Sequence, residues 1–220
     1  MKNQIQKIPI LSKNLTLTGM MGVGKSTIGK NLAKKLKYNF IDIDKLIEIN
    51  EGSSINLIFR NKSEKYFRKI ESEITLQELK KTNSVIALGG GAFLNKLIRT
   101  NVKKTSVSFW LDVNMDKLVK RLKRTKKRPL LDKKNVNNTI KKIYLERKKI
   151  YDEADFRIRC SYLNSKDIVN KIIKLYEKLA ALLEMSGSRN NERGRSKGRA
   201  SVSNCLRELD LETVSQQLVR

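Results

Sequence analysis

The sequence predicts an α/β fold, a parallel sheet wrapped by helices. Three observations predict it. Short apolar runs alternate with helical segments from Asn14 to Leu183, the pattern of strands joined by crossover helices. The stretch Gly19-Met20-Met21-Gly22-Val23-Gly24-Lys25-Ser26-Thr27 fits G-x-x-x-x-G-K-[ST], a phosphate-binding loop that requires a strand before it and a helix after it. Polar clusters close three of the apolar runs, and ligands of parallel α/β sheets bind at the carboxyl ends of the strands.

The elements follow in order. Asn14–Thr18 reads as the first strand, and Ile28, Leu32 and Leu36 repeat at helical spacing after the glycine-rich loop. Phe40–Ile43 is a short apolar strand ending in acids. Asp44 to Glu51 begins a helix that Gly52 stops. Ser63–Lys80 is a longer helix with Phe67, Ile70, Ile74 and Leu79 inward. Ser84–Leu88 is a buried strand that runs into Gly89-Gly90-Gly91. Val107–Leu111 is a strand, Asp116–Lys123 a helix, and Arg124–Asn135 a polar segment expected to act as a mobile lid. Asn138–Tyr151 is helical, Phe156–Cys160 the last strand, and Lys166–Leu183 the last helix.

Each polar cluster suits one piece of chemistry. Glycines in the first loop let backbone N–H groups of Gly22, Val23 and Gly24 converge on phosphate oxygens. Lys25 is placed to reach the β- and γ-phosphates, the Ser26 hydroxyl to bind Mg²⁺, and the helix N-terminus through Thr27 to favour the anion. Asp42 and Asp44 flank one apolar residue at the end of the second strand. One can hold a Mg²⁺-bound water and the other can accept a proton from an attacking hydroxyl; Asp44 also suits a helix N-cap. Arginine is scarce up to residue 185, with 9 against 32 lysines. Arg68, Arg124, Arg128 and Arg147 therefore stand out as candidates for fork-shaped recognition of carboxylate or phosphate.

Composition sets limits. Lysine and arginine total 48 against 22 acids, a formal charge of +26. The lysines are scattered and no nucleic-acid-binding motif accompanies them, so the charge is read as lysine-rich solvated helix faces rather than as a nucleic-acid-binding surface, though an acidic small substrate still benefits from the field. With no histidine, a general base must be a carboxylate or another group. Cys160 and Cys205 lie too far apart to suggest a zinc site or a disulfide framework. No apolar run reaches the ~18 residues of a membrane span, and residues 1–13 carry no signal-peptide pattern, so a cytoplasmic protein is expected. Residues 1–13 are read as an N-terminal extension, 14–185 as the folded domain, and 186–220 as a disordered basic extension. The last segment switches to 6 arginines and 1 lysine, which suggests either a foreign extension or a basic arm.

Taken together, the glycine-rich loop, Asp42-x-Asp44, Phe67-Arg68 with Glu71, Gly89-Gly90-Gly91, Arg128-Pro129-Leu130-Leu131 and Glu146-Arg147 resemble shikimate kinases in order and approximate spacing. The resemblance covers about Asn14 to Leu183. It implies a three-layer α/β/α fold with a central five-stranded parallel sheet, of the P-loop kinase type with a mobile lid. It implies phosphorylation of the 3-hydroxyl of shikimate, with ATP as phosphate donor and Mg²⁺ as metal, on the route to chorismate and the aromatic amino acids; a monomer is expected. It further implies that Lys25 and the loop amides hold the phosphates, that Ser26 binds the metal and that Asp42 supports it through water. Asp44 matches the residue that binds the substrate hydroxyls and is placed as base. Arg68 and Arg147 match the pair that grips the substrate carboxylate, and Gly90 and Gly91 offer backbone contacts to its ring. Arg128 matches the lid arginine that reaches the transferring phosphate, and Arg124 the arginine near adenine. Phe59, Phe67 and Glu71 would line or brace the substrate side.

The chain departs from the family pattern in places. Arg147-Lys148-Lys149-Ile150-Tyr151 stands where Arg-x-Pro-x-Tyr is common, so a looser helix end is expected there. Ser63 stands where glycine is common before Glu64, and the segment between Arg124 and Arg128 is short. The strand before Gly89 lacks a Walker-B aspartate, in agreement with the family. A gluconate kinase is the alternative within small-molecule kinases, and a kinase-like binding or regulatory protein the alternative outside them. The Asp-x-Asp, Phe-Arg and triple-glycine set favours shikimate.

Overall fold

The computed structural model describes residues 13–123 and 136–192. Five strands form one sheet: β1 (Asn14–Thr18), β2 (Asn39–Asp42), β3 (Ser84–Ala87), β4 (Ser106–Asp112) and β5 (Phe156–Arg159). Their order is β2-β3-β1-β4-β5 and every pairing is parallel. Strands β1 and β3 are buried at every position, as central strands covered on both faces must be. Edge strand β5 instead alternates, with Phe156 and Ile158 inward and Arg157 and Arg159 outward.

Among the described residues eight α-helices accompany the strands: α1 (Lys25–Leu36), α2 (Ile43–Glu51), α3 (Ile55–Asn61), α4 (Glu64–Glu78), α5 (Lys96–Thr105), α6 (Met115–Lys123), α7 (Val136–Tyr151) and α8 (Ser165–Glu192). Helix α1 packs on β2 and β3, and α5 packs on β4. The crossover through α1 runs one way across the sheet and that through α5 runs the other. Right-handed connections therefore place the two helices on opposite faces, which gives the expected α/β/α layering.

Strand order decides where the site lies. The connections leaving β1 and β3 part in opposite directions, so the crevice between their carboxyl ends is the topological switch point. Registers such as Leu17↔Ala87 and Asp42↔Ala87 bring the ends of β1, β3 and β2 level. The glycine-rich loop, the triple glycine and the Asp42/Asp44 pair thereby become neighbours.

Several elements differ from the sequence expectation. Helix α2 starts at Ile43, and its N-cap is Asp42, whose Oδ1 accepts from the Lys45 N–H at 3.4 Å; Asp44 is not the cap. Helix α3 was not expected; Ser54 caps it, accepting from the Leu57 N–H at 3.4 Å. Nor was α5, which buries only Ile98 and Val102 and is capped by Asn95, accepting from the Leu97 N–H at 2.8 Å. A 3₁₀ turn at Ala92–Leu94 precedes it. The lid segment 124–135, with Arg124 and Arg128, lies outside the described residues.

Most of the described fold, to Val169, forms one compact unit; Asn170 onward, the rest of α8, belongs to a second. In that stretch Ile172, Tyr176, Leu179 and Ala180 are buried. Helix α8 runs on to Glu192, past the expected end at Leu183 and into the segment read as disordered. Gly187 is the one helix-breaking residue type within it, and an isolated glycine costs only about 1 kcal/mol.

Candidate active site

A cavity of about 840 Å³ opens beside the switch point. Its walls come from the glycine-rich loop (Met21, Ser26), from α2 (Asp44, Lys45), from α3 (Asn56, Phe59), from α4 (Phe67, Arg68, Glu71), from the β3 loop (Gly90, Gly91) and from α7 (Arg147), with Asp42 at the end of β2. Phe59 and Phe67 meet at 4.7 Å between ring centroids and form its apolar side.

The glycine-rich loop is shaped by backbone. Gly22 and Gly24 take φ of 77° and 99°, a region that a side chain strains. Lys25 opens α1 and its Nζ donates to the Gly19 and Met20 carbonyls at 2.9 and 3.0 Å, folding the side chain back along the loop. Ser26 and Thr27 follow in the first turn, both exposed.

The opposite wall is an arrangement of charge. Helix α4 places Arg68 and Glu71 three residues apart on one face. Arg68 donates to Glu71 at 2.7 Å and to Glu64 at 3.1 and 3.3 Å. That holds the guanidinium while leaving N–H groups for a ligand. Glu71 is 2 % exposed. Burial pushes its carboxyl up from the ordinary value, Arg68 pulls it back, and the nearby Asp44 carboxylate adds to the rise. Its second oxygen, Oε1, is buried without a hydrogen-bond partner among the described residues. Gly89 makes this approach possible. A Cβ there would lie 2.3 Å from Glu71 Oε1 and 2.7 Å from Asp44 Oδ1, so any other residue would displace both carboxylates.

Arg147 reaches the same cavity from α7, donating to the Gly90 carbonyl at 3.0 Å. The helix end expected to be loose runs unbroken to Tyr151, which is fully buried and donates its hydroxyl to the same carbonyl. Lysine at 149, in place of proline, keeps its N–H and permits that continuous helix. Among the described residues, the N–H groups of Gly90 and Gly91 donate to no backbone carbonyl, so they remain for a ligand.

Of the residues singled out in the sequence, Ser26, Asp42, Asp44, Phe59, Phe67, Arg68, Glu71, Gly90, Gly91 and Arg147 line this cavity; Gly22 to Lys25 and Thr27 are not on its wall, and Arg124 and Arg128 lie outside the described residues. Two others were not singled out. Arg121 on α6 donates to the Val23 carbonyl at 3.4 Å, touching the glycine-rich loop; the scarcity of arginine that marked Arg124 applied to it equally. Tyr151 lies one helical turn beyond Arg147, and the i, i+4 spacing placed both on one face.

An all-parallel α/β sheet, a phosphate-binding loop at the end of β1 and an acceptor cavity against it define a P-loop kinase. The family model described as Shikimate kinase matches residues 21–177. A shikimate kinase of Thermodesulfovibrio yellowstonii is 40% identical over 168 residues, covering 76% of this chain and 97% of that protein. One of Persephonella marina is 42% identical over 161 residues, covering 73% and 97%. Among solved structures, the shikimate kinase from Acinetobacter baumannii in complex with shikimate superposes with a TM-score of 0.73 at 31% identity, over 75% of this chain and 93% of that one. The chain belongs to the shikimate kinase family.

Proposed function

We propose that this enzyme transfers the γ-phosphoryl group of ATP to the 3-hydroxyl of shikimate, releasing ADP. The observation that carries the proposal is the placement of two arginines, a carboxylate and two free glycine N–H groups around one cavity that also exposes Ser26. A small polyol acid needs forked cations at its carboxylate and an acceptor at its hydroxyls. Arg68 and Arg147 bind the carboxylate. Asp44 orients the 3-hydroxyl and accepts its proton as the oxygen attacks phosphorus. Gly90 and Gly91 donate to the substrate, and Phe59 and Phe67 pack on its apolar edge. On the donor side, the amides of Gly22 to Thr27 and the Lys25 ammonium hold the phosphates, and transfer proceeds by positioning and charge neutralisation. Arg128 would complete that neutralisation and Arg124 would meet the adenine.

The residues present suit Mg²⁺. Ser26 and Asp42 line the same cavity, and the long cap bond of Asp42 leaves its carboxylate with acceptor capacity for a metal-bound water. When bound, the ion supplies charge neutralisation at the phosphates.

The test is ADP release from MgATP with and without shikimate, gluconate serving as control, for the parent and Asp44→Asn. Strong stimulation by shikimate alone is expected, with kcat falling about 10²–10⁴-fold in the variant. A folded parent that binds ATP but ignores shikimate refutes the substrate; an Asp44→Asn variant with parental kcat refutes the base.

A further inference from the structure

Tyr151 is the last residue of α7 and its side chain is fully buried. Its ring lies against Trp110 of β4 at 6.0 Å between centroids, and its hydroxyl is 4.0 Å from Met20 Sδ. A buried phenol needs a partner for its hydroxyl. Here the partner is the carbonyl of Gly90, in the loop that faces the substrate. Arg147 donates to the same oxygen, so one carbonyl receives two donors from one face of α7.

The consequence lies on the other side of the peptide. Consecutive glycines have no Cβ to restrict them, and a Gly-Gly peptide turns over readily unless held. The peptide unit is planar and trans, with its C=O and the following N–H pointing in opposite directions. Fixing the Gly90 oxygen therefore fixes the Gly91 N–H. The Gly89 and Gly91 carbonyls accept from Ala92 at 3.2 Å and from Leu94 at 3.0 Å; these bonds bracket the Gly90–Gly91 peptide, and the donors to its own oxygen come from α7. Burial pushes the Tyr151 phenol up, with Arg147 pulling it back only partly, so the hydroxyl keeps its proton and donates across the neutral range.

We propose that Tyr151 is a positioning residue: it holds the Gly90 carbonyl so that the Gly91 N–H is aimed at the phosphoryl acceptor, and it leaves the Arg147 fork free for the acceptor's carboxylate. This rests on the assignment of the cavity to shikimate. It separates two duties on α7. Arg147 recognises the substrate, and Tyr151 keeps the facing peptide from turning when Arg147 shifts to do so.

The experiment compares the parent with Tyr151→Phe, which deletes one oxygen and keeps the ring against Trp110. Kinetics with each substrate varied, calorimetric titration with shikimate alone, and the emission of Trp110, the chain's single tryptophan, are measured on both. The expected result is a rise of about tenfold in the shikimate KM and Kd. The ATP KM stays within about twofold and the Trp110 emission is parental. Parental shikimate KM and Kd overturn the proposal, as does an equal rise in both KM values, because a merely structural hydroxyl would act on both substrates alike. A parent that turns over no shikimate overturns the substrate assignment itself, and this inference with it. Should Tyr151→Phe fail to fold, the parent carries the test: the Gly91 amide proton, followed by NMR, moves downfield on titration with shikimate alone. An unmoved Gly91 amide overturns the proposal.

Discussion

The two sides of the active site are built on different principles. The proposed nucleotide side is nine contiguous residues, Gly19 to Thr27, and the recognition elements proposed for it are largely backbone N–H groups and one lysine. The acceptor side gathers side chains from α2, α3, α4 and α7 with one glycine loop, and both of its arginines are held in place. Arg68 is fixed by Glu64 and Glu71, Arg147 by Gly90. Backbone amides suit a phosphate chain common to many substrates. Side-chain forks suit the one arrangement of carboxylate and hydroxyls that the enzyme must distinguish. Damage on the nucleotide side should therefore appear in the rate with any acceptor, and damage on the acceptor side in the affinity for shikimate.

The largest expected effect tests the first half of that contrast. Lys25→Met removes the cation at the head of α1 that the loop carbonyls of Gly19 and Met20 hold in place. The expected result is a fall of about 10²–10³-fold in kcat, with shikimate Kd by calorimetry unchanged. A weakened shikimate Kd would mean that the two sides are not separable. Next in size is Arg147→Lys. It keeps the charge and loses the fork, so the shikimate KM should rise about 10–100-fold while the ATP KM holds. Equal changes in both KM values would dissolve the distinction between the sides.

The nucleotide side was legible because it is local. Nine residues named the ligand, and the strand before them and the helix after them were found where they were expected. The acceptor side was legible as parts without an arrangement. Nothing in the residues themselves places β3 between β2 and β1; the strand order does, and it alone makes Gly89–Gly91 adjacent to both the phosphate loop and Asp44. The same distance from sequence hid the link between Tyr151 and Gly90, 61 residues apart. Helices α3 and α5 escaped notice for another reason. Each buries so little, Ile58 in one and Ile98 with Val102 in the other, that no apolar period stands out. Their caps carry the signal instead.

Glu71 offers a finer probe of the acceptor side, through pH. Its carboxyl is raised in the fold above the ordinary glutamate value, mainly by burial. The folded protein thus holds that proton more tightly than the unfolded chain does. Its contribution to stability is fullest below the unfolded value and declines as pH rises through the raised one. Glu71→Gln abolishes the titration. Denaturant unfolding of parent and variant from about pH 4, near the ordinary glutamate value, up to about pH 8 should give a difference that turns against the parent as pH rises. A difference that is flat with pH would show that Glu71 ionises as freely in the fold as outside it.

The smallest effect is expected at Ser63, where α4 begins. Ser63 has φ 157° and ψ 166°, backbone that glycine adopts far more readily than a residue with a Cβ, and such positions cost about 1–3 kcal/mol. The serine is not idle, since its Oγ accepts from the Tyr66 N–H at 3.1 Å and caps the helix that carries Arg68 and Glu71. Replacing a serine cap by glycine costs only a few tenths of a kcal/mol, and the added freedom of glycine in the unfolded chain about 0.5–1 kcal/mol. The strain term is the largest of the three, so Ser63→Gly should stabilise by about 1 kcal/mol, a rise in Tm of roughly 2–4 °C for a domain of this size. Shikimate KM should stay parental, because Glu64 and Glu71 still fix Arg68 after the cap is gone. A lower Tm would mean that the cap outweighs the strain. A higher KM at parental Tm would mean instead that the entry angle of α4, and not only its ion pairs, sets the acceptor side.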